Sequence, residues 1–134
     1  MKKLVIPFIL SFLLLVSCSD KVLLESNEII GTWNWASSSG GIAGVTYTPE
    51  STGENIVLEF TPDSIYREYK NDTLVVETEF SIIISESIYV QDSTKIITFD
   101  PGIIPRSIVF DSPNDLTLRD EVYDGFINHY RRIK

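Results

Sequence analysis

Hydrophobic and polar residues alternate over short segments from Glu28 to the end of the chain. The segments are rich in Ile, Val, Thr, Tyr and Phe and are separated by Pro, Asn, Asp and Gly, and none has a helical period. This alternation is typical of half-buried β-strands. We therefore predict eight or nine strands, over residues 29–37, 55–61, 64–70, 73–85, 94–100, 106–111, 115–120 and 126–133, with 87–91 as the optional ninth.

The connections between the predicted strands are short, and their length decides how the strands pair. Residues 61–63, 71–72 and 111–115 contain the Pro, Asn and Asp residues that are typical of hairpin turns. Parallel strands need crossovers of about a dozen residues, so we expect consecutive strands to pair antiparallel. Because closure removes exposed sheet edges, we predict an all-β fold in which an up-and-down meander of eight or nine strands closes into a barrel.

The segment 73–85 shows most clearly which face of a strand is buried. The apolar side chains that fall on one face are Leu74, Val76, Phe80, Ile82 and Ile84. The opposite face carries mainly Glu and Ser. One apolar and one polar face fit the wall of a barrel, with the apolar side chains inside.

The start of the chain has the composition of a bacterial lipoprotein signal peptide. Lys2 and Lys3 precede an apolar run over residues 4–16, and the small Ser17 stands before Cys18, where cleavage leaves a cysteine that is acylated. The apolar run is shorter than the roughly 20 residues that a membrane-spanning helix needs. We predict a signal peptide over residues 1–17, a lipidated Cys18 with a linker over 18–27, and one barrel domain over 28–134.

Lipidation of Cys18 predicts where the protein is found. Cys18 is the only cysteine, so a disulfide or a thiolate metal site would lack its other members. Acyl chains such as palmitate on Cys18 make the lipid bilayer a partner of the mature protein. We expect a protein of the cell envelope that is anchored to a membrane by lipid, with the outer membrane favoured.

The chain is acidic, and its charge excludes one class of partner. It has 11 Lys and Arg residues against 19 Asp and Glu residues, a formal charge of −8 at pH 7. Removing residues 1–17 takes away Lys2 and Lys3, so nine basic residues remain and the formal charge becomes −10. Since an acidic surface repels phosphates, we expect no nucleic acid partner.

Two motifs at the ends of the predicted barrel resemble those of a known family. Gly31-Thr32-Trp33 opens the first strand, and Tyr130-Arg131-Arg132 ends the last one. With the meander between them, residues 29–133 resemble the short lipocalin-like (calycin) domains of bacterial lipoproteins. The resemblance implies that Gly31 lets the chain enter the barrel floor, Trp33 closes that floor, and an arginine of the last strand, Arg132 or Arg131, covers Trp33.

The resemblance implies a binding function without chemistry. We expect a membrane-tethered protein that binds a small apolar or amphipathic molecule, with Trp35, Phe60, Phe80 and Tyr130 lining the ligand site. A barrel of this size is either filled by side chains or holds one small ligand. The alternative is therefore a filled barrel that docks on another envelope protein, and the volume of the cavity discriminates between the two.

Residues 36–55 form the one predicted loop that is long enough to carry function. In lipocalin-like folds this connection lies over the open mouth of the barrel, which implies a lid. The other interpretation is a flexible loop packed by Ile42, Val45 and Tyr47. A phosphate cradle needs a helix start and a nearby Lys or Arg, and this segment offers neither.

The sequence gives little support for catalysis, so we expect no enzyme, no cofactor and no metal. The single His129 has no nucleophilic cysteine beside it in a known motif, and no Gly-x-Ser-x-Gly turn is present. Glu77 and Glu79 share the polar face of a strand, where carboxylates are usually solvated. Acidic residues over 111–115 are explained by turn formation without a metal.

Overall fold

The computed structural model describes residues 27–134. The predicted signal peptide, Cys18 and residues 18–26 of the predicted linker lie outside the described residues. The closed barrel and its hydrophobic core are formed by residues within 27–134. We therefore expect residues 19–134 to fold as an independent unit.

The described chain consists of nine strands and one short helix. The strands are β1 (Gly31–Gly40), β2 (Val45–Tyr47), β3 (Ile56–Phe60), β4 (Ile65–Lys70), β5 (Thr73–Ser87), β6 (Val90–Phe99), β7 (Arg106–Ser112), β8 (Asp115–Asp120) and β9 (Phe126–Arg132). The helix α1 (Pro49–Thr52) lies between β2 and β3. Among residues 27–134, no helix has the length and apolar character that crossing a membrane requires.

The strands form one antiparallel meander that closes on itself. The order along the sheet is β2-β1-β3-β4-β5-β6-β7-β8-β9, and β9 also pairs with β1. The closing pairs run from Trp33 opposite Arg132 to Gly40 opposite Phe126. The predicted fold class is therefore confirmed: eight strands, β1 and β3 to β9, form a closed antiparallel barrel.

Strand β1 contains a bulge that changes which side chains point inward. Trp35 pairs with Tyr130 and Ser37 pairs with His129, so Ala36 is an extra residue without a partner on β9. Side chains alternate along a strand, and one extra residue reverses the alternation beyond it. Trp35 therefore faces inward before the bulge, and Ser38 faces inward after it.

The middle of the barrel is filled by apolar side chains. The largest fully buried residues are Trp33, Tyr66, Phe60, Ile29, Leu58, Ile97, Leu116 and Leu118. Aromatic rings contact one another here, with centroid distances of 5.2 Å for Phe60 and Tyr66, and 4.8 Å for Tyr66 and Phe99. Such contacts leave little space in this layer.

Three details of the predicted strands differ from the structure. Residues 87–91 are the end of β5, the turn and the start of β6 instead of a separate strand. Strand β1 continues to Gly40 because its polar second half pairs with both β2 and β9. A polar segment has no alternating pattern from which this pairing could be predicted. On β5, Val76, Phe80 and Ile82 join the core, whereas Leu74 and Ile84 are exposed.

Candidate functional site

One end of the barrel is closed by Trp33 and Arg132. The guanidinium carbon of Arg132 lies 4.1 Å from the centroid of the Trp33 ring, a distance at which a cation and an aromatic face attract each other. Trp33 Nε1 donates to the carbonyl of Ile29 at 2.8 Å. Of the two arginines that the sequence left open, Arg132 is thus the one that covers Trp33, while Arg131 pairs with Asp115 outside.

The nitrogens of Arg132 hold the chain entry at this closed end. Nη1 donates to the carbonyl of Ile30 at 2.8 Å, Nη2 to that of Glu28 at 2.6 Å, and Nε to that of Pro113 at 3.0 Å. Gly31 lies directly beside them with a φ of +138°, and a Cβ there would collide with the Lys134 carbonyl and with Arg132. The backbone conformation and the space both require glycine.

A cavity of about 300 Å³ beside this closed end is lined by Glu28, Phe110, Ser112, Pro113 and Arg132. Its one cation, Arg132, already donates to three backbone carbonyls. The polar groups here are therefore used to hold the barrel shut. We assign this end a structural role.

The opposite end contains a larger pocket, which we call the mouth pocket. Its volume is about 400 Å³, and it is lined by Trp35, Ser38, Tyr47, Thr52, Glu54, Ile56, Arg106, Asp120, Phe126 and Asn128. These residues come from β1, β2, β3, β7, β8 and β9 and from the segment around α1. Pockets of this size hold small organic molecules.

One wall of the mouth pocket is apolar. It is formed by Trp35, Ile56, Tyr47 and Phe126, and the last two rings lie 6.0 Å apart at a tilt of 49°. Trp35 is almost fully buried, whereas Tyr47 is 41% exposed at the rim. Together these rings offer a hydrophobic surface that leads from solvent into the barrel.

A chain of hydrogen bonds forms the other wall. Trp35 Nε1 donates to Ser38 Oγ at 2.9 Å, and Ser38 Oγ donates to Asn128 Oδ1 at 2.6 Å. Asn128 Nδ2 reaches the Leu118 carbonyl at 3.3 Å and Asp120 Oδ1 at 3.5 Å. The polar side chains of β1, β8 and β9 are thereby held in one arrangement.

Arg106 and Asp120 form an ion pair at the inner end of this polar wall. Arg106 Nε lies 3.2 Å from Asp120 Oδ1, and Asp120 Oδ2 accepts from the Phe126 backbone at 3.1 Å. Burial alone would lower the pKa of Arg106, but the neighbouring Tyr130, Tyr66 and Asp120 raise it overall. The guanidinium therefore stays protonated.

The Arg106 guanidinium is incompletely used by the protein. Its Nη1 is buried and has no hydrogen-bond partner among residues 27–134. The hydroxyl of the adjacent Tyr66 donates to Glu68 Oε2 at 2.7 Å. A buried charged donor without an acceptor is costly and uncommon, so an acceptor that reaches the guanidinium would relieve this cost.

Part of the predicted loop over residues 36–55 lies at the mouth. The segment is not an irregular loop, because it contains the end of β1, the strand β2 that pairs with it, and helix α1. Tyr47, Thr52 and Glu54 line the mouth pocket, and Glu54 pairs with Lys70 at 2.7 Å. Helix α1 is fixed by a capping box between Thr48 and Ser51. The interpretation in which Ile42 packs this loop is wrong, because Ile42 is 92% exposed at the hairpin turn.

The structure separates the four residues that were predicted to line a ligand site. Trp35 lines the mouth pocket. Phe60 and Phe80 pack edge to face in the core with centroids 5.3 Å apart, and Tyr130 belongs to the same core cluster. These three do not line the mouth pocket, because the rings and aliphatic chains of the middle layer fill the space around them.

The sequence analysis missed the polar wall. Arg106 begins a predicted strand and Asp120 ends another, so inward-facing charges at strand ends were a signal that could have been used. Asn128 alternates with Phe126 and Tyr130 on the inner face of β9. Ser38 gave no such signal, since its inward orientation depends on the bulge at Ala36.

The residues considered for catalysis lie elsewhere. The Thr117 hydroxyl donates to Asp111 Oδ2 at 2.7 Å and lies 2.9 Å from His129 Nδ1, on the outside of the barrel. Glu77 pairs with Arg67 at 2.6 Å. In the described part of the chain, no group of three or more His, Cys, Asp and Glu residues is arranged to hold a metal ion.

Comparison of the chain with family models, with curated proteins and with solved structures found no match in any of the three. The mouth pocket combines a volume of about 400 Å³, an apolar wall and a buried donor without a partner among the described residues. It is the feature of the described residues from which we infer a function.

Proposed function

We propose that the protein is a membrane-tethered, non-catalytic lipocalin-like lipoprotein that binds one small amphipathic molecule in the mouth pocket. The observation that carries this proposal is the pocket of about 400 Å³ between an apolar wall and a polar wall. A molecule with an apolar body and one polar group matches both walls at once. A purely apolar molecule would leave Nη1 of Arg106 without a hydrogen-bond partner.

The placement of the two barrel ends supports binding at the mouth. Glu28 and Ile30, through which the chain enters the barrel, are held at the closed end by Arg132. The mouth pocket lies at the other end of the strands. A linker and acylated Cys18 that join the barrel at its closed end would leave the mouth accessible from the surroundings.

The chemistry of the mouth pocket favours binding over catalysis. The serine of the pocket, Ser38, donates a hydrogen bond to the amide oxygen of Asn128, which is not a general base. Asp120 accepts from Arg106 and from the Phe126 backbone. Neither residue is arranged as a nucleophile with a base, which supports a proposal of binding without chemistry.

Ligand binding can be tested with a soluble variant that comprises residues 19–134, after circular dichroism has established that it is folded. We expect amphiphiles with short alkyl chains to change its tryptophan fluorescence and to raise its melting temperature. In a Trp35→Phe variant the fluorescence response should disappear while the thermal shift remains, because Trp33 lies at the closed end. No response to any uncharged, acidic or basic amphiphile would contradict the proposal.

A docking module is the second candidate function, and one observation favours it. The hairpin of β5 and β6 exposes several large apolar side chains, namely Ile83, Ile84, Ile88 and Val90. Clusters of this kind are frequent at protein interfaces. Recovery of a stoichiometric envelope protein with the tagged lipoprotein, and its loss in an Ile84→Ser/Ile88→Ser variant, would support this function over ligand binding.

A further inference from the structure

In the mouth pocket, the acceptor oxygens already accept hydrogen bonds from the protein, whereas one buried donor has no partner among the described residues. The acceptor oxygens of its polar wall already accept from the protein: Ser38 Oγ from Trp35, Asn128 Oδ1 from Ser38, and both Asp120 oxygens from Arg106 and the Phe126 backbone. A ligand that brings donors would have to share acceptors that already take part in hydrogen bonds within the protein. An ammonium group in particular would have to share Asp120 with Arg106.

The donors, in contrast, are not all used. Arg106 donates through Nε to Asp120, and its buried Nη1 has no partner among the described residues. A guanidinium offers five N–H groups in a fixed plane, so a ligand oxygen can be added without breaking the ion pair with Asp120. The group that the polar wall can accept is therefore a hydrogen-bond acceptor.

The charges around Arg106 indicate that this acceptor is uncharged. Asp120 already neutralises Arg106 at 3.2 Å, and Glu54 at the rim is paired with Lys70. An anion entering the pocket would meet two carboxylates and no unpaired cation among the lining residues. The formal charge of the whole chain, −8, acts in the same direction.

We infer that the mouth pocket selects uncharged amphiphiles whose carbonyl oxygen, as in an ester, accepts from the Arg106 guanidinium while the alkyl chain lies against Trp35 and Phe126. This inference rests on the proposed function. It adds the chemical class of the ligand and identifies Arg106 as the residue that determines specificity.

The test compares three probes of the same chain length on the folded 19–134 variant: methyl octanoate, octanoate and octylammonium. Dissociation constants are measured by calorimetry at pH 7.5, where the acid and the amine are both ionised. We expect the ester to bind at least about tenfold tighter than either ion. Equal or tighter binding of octanoate or of octylammonium would overturn the inference and leave the proposed function standing. Binding of none of the three would overturn both.

A pair of variants tests the role of Arg106. In Arg106→Met/Asp120→Asn both charges of the ion pair are removed together, so neither is left buried alone. We expect this variant to bind methyl octanoate about tenfold more weakly. The matched control is Arg67→Met, which removes an arginine from the outer face, where Arg67 pairs with Glu59 and Glu77. Unchanged ester affinity in a folded double variant would show that Arg106 does not hold the ligand. If the double variant does not fold, the ranking of the probes on the unchanged chain still decides.

Discussion

Ser38 donates a 2.6 Å hydrogen bond to Asn128, a residue 90 positions away in the sequence. The two residues are paired across β1 and β9, the strands that close the barrel. The same Ser38 oxygen accepts from Trp35 Nε1. One hydroxyl therefore joins the closing seam of the barrel to the aromatic wall of the mouth pocket, so the geometry of the pocket depends on barrel closure.

Replacing Ser38 by alanine should destabilise the barrel although the residue is small and partly exposed. Ser38→Ala removes the acceptor of Trp35 Nε1 and the donor to Asn128, and each group left without a partner costs about 1–3 kcal/mol. We expect the free energy of unfolding to fall by about 2 kcal/mol in urea denaturation. The control is Ser39→Ala, because within residues 27–134 the Ser39 hydroxyl forms one side-chain hydrogen bond, with the exposed Thr46 hydroxyl at 3.0 Å. Equal effects of both substitutions would contradict this account.

Adjacent arginines on β9 should differ sharply in their contribution to stability. Arg132→Met removes the contact with Trp33 and the bonds to three backbone carbonyls, so we expect a loss of about 3 kcal/mol. The side chain of Arg131 is 77% exposed in its pair with Asp115, and Arg131→Met should cost less than about 0.5 kcal/mol. Denaturation curves of the two variants measure the difference. A larger loss for Arg131→Met would mean that the closed end is held in another way.

Gly31 and Gly44 both have positive φ angles, but only Gly31 is surrounded by other atoms. At Gly44, with a φ of +60°, a Cβ meets nothing within 4 Å, so Gly44→Ala should cost about 1 kcal/mol from the backbone alone. Gly31→Ala adds a collision with the Lys134 carbonyl, and we expect it to cost more than about 3 kcal/mol. Melting temperatures of the two variants test this. Similar values would indicate that the chain terminus moves aside.

The sequence predicted the features of this barrel that depend on regular alternation. The strands and their antiparallel pairing follow from a period of two and from short turns, whereas the closing role of Trp33 was implied by the resemblance to lipocalin-like domains. The polar wall does not follow in this way, because Ala36 shifts Ser38 to the inner face and no local signal marks that extra residue. Arg106 and Asp120 are directly opposite each other on the β7–β8 hairpin, whose turn the sequence predicts, but the sequence does not indicate that the closed barrel buries this pair.

Acylation of Cys18 is a prediction from the sequence and can be tested apart from the barrel. In bacteria supplied with labelled palmitate, the full-length protein should be labelled, and Cys18→Ala should abolish the label because the acceptor sulfur is absent. Ser17→Ala keeps a small residue before the cysteine and should leave labelling unchanged. Label that persists in Cys18→Ala would place the modification elsewhere.

The soluble 19–134 variant should melt at the same temperature as the lipoprotein released from membranes, because the core lies within residues 27–134.

Alkaline pH should destabilise the barrel through its buried tyrosines. Burial raises the pKa of Tyr130 above the usual value of about 10, and burial also raises that of Tyr66. Because the unfolded chain loses these protons at lower pH than the folded one, stability is full below about pH 10 and falls as the pH rises above it. Tyr130→Phe should make this fall shallower in denaturation experiments between pH 8 and pH 11.5. Tyr123→Phe is the control, since the Tyr123 ring is 84% exposed and its loss should leave the profile unchanged. If Tyr130→Phe follows the pH profile of the unchanged protein, the hydroxyl of Tyr130 is not buried in solution.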